Sequence, residues 1–82
     1  MTEYKTILEI YELCQKLGIN CELSNLYDGY KILFPDGADV VQHSGSYGSA
    51  EGYVEPAAFD DEIDYTAVDK RVMFLYILNR YE

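Results

Sequence analysis

The chain has 82 residues, fifteen of them acidic and six basic, with a single histidine and a formal charge of −9. A domain this short hides only about 60–65% of the surface its unfolded form exposes, so all its elements must share one core; with 49% apolar or aromatic residues and nine tyrosines that core is available, which argues against disorder. The negative field repels phosphate backbones and so argues against direct nucleic-acid binding, and no apolar run approaches the ~20 residues that a membrane span needs.

The first element is an amphipathic helix. Tyr4, Ile7, Leu8, Tyr11, Cys14 and Leu17 fall on one stripe, with Glu3, Lys5, Glu9, Glu12, Gln15 and Lys16 opposite. Thr2 is placed to cap its start, and Gly18 to end it in the left-handed conformation with Ile19 folding back. Interspersed acids make this opening unlike a signal peptide, so a cytoplasmic protein is expected. Cys14 and Cys21 lack C-x-x-C spacing and a second histidine, which favours buried reduced thiols over a zinc site, with a disulfide between them left open by their spacing.

From Ile19 the period changes to two, and Ile19, Cys21 and Leu23 alternate with Asn20, Glu22 and Ser24 as in a half-buried strand. Asn25 to Gly29 turns the chain into a second strand, Tyr30 to Phe34. "PDG" at Pro35 to Gly37 then makes a three-residue loop closing on a glycine bulge, because proline presets its φ and glycine takes a positive one. That loop pairs Phe34 with Ala38, Ile32 with Val40 and Tyr30 with Gln42 on the helix-facing side. Lys31, Leu33, Asp39, Val41 and His43 then lie on the other side.

Ser44 to Gly52, with three serines and three glycines, reads as a loop, and Tyr53 to Glu55 as a short edge strand that Pro56 stops. Glu51 to Asp64 holds six acids and no base. A final helix opens at Thr66, where "TAVD" has the form of a capping box with Asp69 in place of the usual glutamate, and runs to the C-terminus. Its seven consecutive apolar residues, Val72 to Leu78, require either a central position or a partner.

The expected fold is therefore a single α+β domain: helix, three-stranded antiparallel meander with a short fourth strand, helix, both helices on one sheet face. Double-stranded RNA-binding domains share this order, but here Lys70 and Arg71 follow Asp60, Asp61, Glu62, Asp64 and Asp69 where that family has a basic cluster. "HSGSYGS" lacks the Walker lysine of a phosphate loop. His43 beside Ser44 and Ser46 has no nucleophile elbow to hold the serine. "DDEID" lacks the glycine and distal glutamate of a calcium loop. No cofactor is called for.

What remains is a surface. Tyr47, Glu51, Tyr53, Glu55, Asp60, Asp61, Glu62 and Asp64 are the residue types of an interface gripping a basic protein, rings for anchoring and carboxylates for steering. The stretch "YDGYKILFPDG", followed by "DVVQHSGSYGS" and "GYVEP", resembles short acidic proteins of Gram-positive phages and mobile elements over Tyr27 to Pro56. The resemblance implies a genomic setting, not a chemistry. Small acidic proteins in that setting often occupy host machinery, and some anti-CRISPR proteins are similar in mixing helices with a three-stranded sheet and a carboxylate-rich face, which points to a nucleic-acid mimic directed at a host nucleic-acid-binding protein. The expected function is thus a non-catalytic acidic interaction module of this kind. The alternatives are a homodimer or larger homo-oligomer built through Val72 to Leu78 and, behind it, a small enzyme using His43.

Overall fold

The structure is a computed structural model that describes residues 4–82. Its elements run in the order α1 (Lys5–Lys16), β1 (Glu22–Leu26), β2 (Gly29–Leu33), β3 (Asp39–Gln42), a 3₁₀ turn (Ser49–Glu51), β4 (Glu55–Ala57) and α2 (Lys70–Tyr81). The four strands form one antiparallel meander in the order β1-β2-β3-β4, packed on one face by the helices. The α+β expectation holds, with the fourth strand a full member of the sheet.

Helix α1 buries Ile7, Ile10 and Cys14, a spacing that keeps them on one side of a 3.6-residue helix. Its C-terminus closes as the sequence suggests: Gly18 takes φ +73°, its N–H donates to Gln15 O (3.2 Å), and the Ile19 N–H donates to Cys14 O (2.9 Å). Leu17 departs from the expected stripe, because as the capping residue it turns outward and is 45% exposed. The N-terminus is served from the sheet. Buried Gln42 accepts the Ile7 N–H with Oε1 (3.0 Å) and donates Nε2 to Ser49 O (3.2 Å), so a strand side chain satisfies a helix donor that would otherwise be orphaned. Thr2 lies outside the described residues.

Strand β1 begins at Glu22, later than the alternation from Ile19 suggested, although Ile19 and Cys21 are buried as that alternation requires. The turn is also tighter than Asn25–Gly29, since Leu26 pairs with Gly29 across Tyr27 and Asp28 alone. Tyr27 takes φ +53° there, a conformation two-residue hairpins demand and bulky residues resist. Gly29 is obligatory for another reason: a Cβ would lie 2.0 Å from the Gln42 carbonyl oxygen.

The β2–β3 register matches the sequence reading. Tyr30 pairs with Gln42 and Ile32 with Val40, and the Phe34 N–H donates to Ala38 O (2.9 Å) around a Gly37 at φ +95°. Phe34, Ile32, Ala38, Val40 and Gln42 are accordingly buried beneath the helices.

Two boundaries are corrected. Strand β4 does not stop at Pro56 but is centred on it, opposite Val40. Pro56 O accepts the Tyr65 N–H (2.8 Å) on the side away from β3. The missing proline N–H therefore faces the outer edge, where no ladder bond is lost. Nor does Thr66 cap the last helix. Val68 exchanges two 2.8 Å hydrogen bonds with Val54 in an isolated bridge, which keeps the chain out of a helix at Val68. The helix starts only when Asp69, at φ −75° and ψ 167°, accepts the Val72 N–H (2.9 Å). Thr66 instead donates its hydroxyl to Ile63 O.

Helix α2 is not central. It buries Met73 and Ile77, four residues apart, and leaves Val72 39% and Leu75 61% exposed. Its far end is clasped to the β2–β3 turn: Tyr81 stacks on Phe34 (4.5 Å between centroids, 11°), and Asp36 accepts from the Tyr81 hydroxyl and from Arg80 Nε, both at 2.8 Å. Among the described residues no helix is long and apolar enough to cross a membrane.

Candidate interaction surface

The acidic segment is a folded cap, not a loose charge run. Asp64 accepts backbone N–H groups from Ala58 (3.0 Å), Phe59 (2.9 Å) and Asp60 (3.1 Å). Asp60 Oδ1 accepts the Glu62 N–H (2.8 Å), and its carbonyl accepts those of Ile63 and Asp64. Ile63 is buried, and Phe59 packs edge-on to Phe34 (5.6 Å) and Tyr81 (6.1 Å). Ala58 and Tyr65, both at φ +63°, bend the chain at either end of this cap. Such conformations cost a non-glycine residue on the order of 1 kcal/mol or more, and the hydrogen bonds to Asp64 offset that cost.

The candidate residues accordingly divide. Asp64 is half-buried and structural, and Asp60 shares that work. The side-chain oxygens of Glu51, Glu55, Asp61 and Glu62 enter no hydrogen bond or ion pair among the described residues. They do not form one row. Glu51 ends the 3₁₀ turn next to Gly52, whose carbonyl accepts from Thr6; Glu55 stands on the open face of the sheet opposite Val41; Asp61 and Glu62 lie beyond the β4 edge.

Tyr47 is 68% and Tyr53 41% exposed. Gly48, which follows Tyr47, lies against Tyr53 and Ala67 because it has no side chain; a Cβ there would meet the Tyr53 ring at 2.8 Å and the Ala67 methyl at 2.7 Å. Tyr53 continues into a shallow groove of about 350 Å³ that it lines with Ile63, Ala67, Asp69 and Val72. Tyr65, 68% exposed, follows the cap, and Leu75 stands one turn beyond Val72 on α2. Among the described residues, five of the eight exposed large apolar side chains thus belong to the segment from Tyr47 to Leu75. Val72 and Leu75 entered the sequence reading only as part of the run Val72 to Leu78, the face of the alternative homo-oligomer; the Met73–Ile77 spacing is the signal that separates the buried side of that run from its outer side.

The rest of the chemistry-bearing residues have local work. The His43 ring lies edge-on to Tyr27 (5.1 Å), with Nδ1 accepting the Gly45 N–H (3.0 Å). The Ser46 hydroxyl donates to His43 O and accepts the His43 N–H. Asp28 accepts from the Ser44 N–H (3.0 Å) and the Tyr4 hydroxyl (2.8 Å), which hold its carboxyl below the usual range. Cys14 and Cys21 are free and buried; burial pushes Cys14 up to about 12, with Cys21 beside it adding to the shift, and burial raises Cys21 as well. Both are therefore poor nucleophiles. Among the described residues no group of three His, Cys, Asp or Glu is arranged to hold a metal ion.

Comparison with protein-family models, with curated proteins and with solved structures returns no match for this chain. Its surface has to be read from its own chemistry.

Proposed function

We propose that this protein is a non-catalytic interaction module that binds a basic protein surface, anchoring it with Tyr47, Tyr53, Tyr65, Val72 and Leu75 and steering it with Glu51, Asp61 and Glu62. The observation that carries the reading is the concentration of exposed apolar side chains in one segment, Tyr47 to Leu75, that also holds carboxylates without a partner among the described residues. A monomer seldom leaves rings and aliphatic side chains together in the open without a use for them, and an apolar centre with a charged rim is the usual anatomy of an interface. At −9 the field favours a cationic partner, and a nucleic-acid-binding protein of a host, occupied by an inhibitor from a phage or mobile element, is the partner class this charge suits best.

The test is capture of partners from the native host followed by titration of the recovered partner at rising salt. Affinity should fall with salt and should fall at least tenfold on reversing Asp61→Lys and Glu62→Lys together, two side chains the fold does not use. Affinity indifferent to both changes would sink the reading. A second reading, self-association through α2, draws on the exposure of Val72 and Leu75 alone. Sedimentation at micromolar concentration separates the two, because a dimer abolished by Leu75→Glu belongs to the second.

A further inference from the structure

Among the described residues, strand β1 has a neighbour on one side only. The two-residue turn makes Leu26 and Gly29 a bonded pair, so Leu26, Ser24 and Glu22 direct their backbone groups to β2, while the N–H and C=O of Leu23 and Asn25 point away from the sheet. Among the described residues nothing bonds to them. The strand, "ELSNL", carries no proline, lysine or bulge, the devices by which proteins usually blunt an edge.

The surroundings of this edge suit an incoming strand. Residues bonded to Leu23 and Asn25 would send their side chains into the helix layer, as Leu23 itself does opposite buried Ile32. There they meet the flank of α1 that carries half-buried Leu8 and Tyr11. That flank lies on the β1 side, since Tyr4 on it is bonded to Asp28 in the β1–β2 turn, while Thr6 and Glu9 tie the other flank to Gly52 and Lys70. The alternate side chains of an added strand would stand on the open face near Glu22, in the field of a chain of net charge −9.

We infer that β1 is a docking edge for an extended segment of a partner protein in which apolar and basic residues alternate, the apolar ones turned toward α1 and the basic ones toward the open face. Main-chain hydrogen bonds supply the attraction and the alternate pockets the selectivity, as in other strand additions. A second copy of this chain fits less well, because it brings another −9 to the same edge. This edge is separate from the acidic cap, which lies beyond β4.

The probe is an end-capped eight-residue peptide of alternating valine and lysine, titrated into the full chain by NMR. The Leu23 and Asn25 amides should exchange rapidly in the free protein and become protected on binding. Methylating the valine nitrogens should abolish binding, because those residues face Leu23 and Asn25 in bonded pairs; methylating the lysine nitrogens should leave it within about twofold. Asn25→Pro, which removes one outward donor, should weaken binding about fivefold, the worth of one hydrogen bond. Asp61→Lys with Glu62→Lys should change it little. The inference is overturned by slow exchange of both amides in the free chain, by no binding, by equal effects of the two methylation patterns, or by an Asn25-dependent dimer, which would make the occupant a second copy.

Discussion

The two edges of the sheet are finished in opposite ways. At β4 a proline turns its missing donor outward, Tyr65 covers the one free carbonyl, the Val54–Val68 bridge extends the pairing, and a carboxylate cap closed by Asp64 packs Ile63 over the strand. At β1 the outward backbone groups of Leu23 and Asn25 have no partner among the described residues, on a strand without proline, lysine or bulge. Open edges are templates for pairing. A chain that closes one edge with four separate devices and leaves the other unpaired has its capacity for further strand pairing at β1.

Proline scanning of β1 gives the largest expected contrast. Ser24→Pro removes a donor to β2 and should cost on the order of 2–4 kcal/mol, whereas Asn25→Pro removes only an outward donor and should cost less than about 1 kcal/mol in urea unfolding. Equal losses would mean that the assignment of inward and outward groups is wrong. Next in size is Asp64→Ala. It leaves three amides without their acceptor and should cost about 2 kcal/mol, with faster exchange at Ala58, Phe59 and Asp60 and no change at Leu23. Asp69→Ala should cost about 1 kcal/mol through loss of the α2 cap, while Thr66→Ala, at the site first expected to cap, should leave the helix start at Lys70 unchanged.

The smallest effects are in the acid limb of stability, where two carboxylates act in opposite senses. Burial works to raise Asp36, but Tyr81, Arg80 and the Ala38 amide overcome it and hold its carboxyl below the ordinary value. Its contribution is present above that ordinary value, near pH 4, and is lost as pH falls through the lowered one, so Asp36→Asn should remove a stabilisation seen at neutral pH. Asp39 is raised by burial on the open face, with Lys31 opposing and Asp64 adding to the shift. The folded state then gains stability as pH falls through the raised value, so Asp39→Asn should stabilise the protein at pH 7, by less than about 1 kcal/mol given its partial exposure. A destabilised Asp39→Asn would show that its charge is used in the fold.

Much of the central sheet is legible in the residues themselves. "PDG" between two apolar-alternating runs dictates the loop, the loop dictates the register, and the register sends Ile32, Val40 and Gln42 inward. The candidate site was less legible. Tyr47, Tyr53, Asp61 and Glu62 do stand exposed, but Asp64 looks the same in a list of acids and turns out to hold three amides. Nothing in its neighbours announces this, because the hydrogen bonds depend on the left-handed bend at Ala58.

The sequence by itself determined that a helix stands at each end of the chain with extended stretches between, where α1 ends, how β2 meets β3 and the sign of the field, since periodicity, glycine placement and charge are local properties. Only the tertiary structure decided that β4 runs through Pro56, that α2 waits for Asp69, that Gln42 serves a helix and that one sheet edge is closed while the other is open. Each of those outcomes depends on a hydrogen bond between residues distant along the chain, Pro56 with Tyr65, Val54 with Val68, Gln42 with Ile7. Such bonds win over local propensity because a buried donor or acceptor left alone costs more than a displaced helix start or a proline inside a strand.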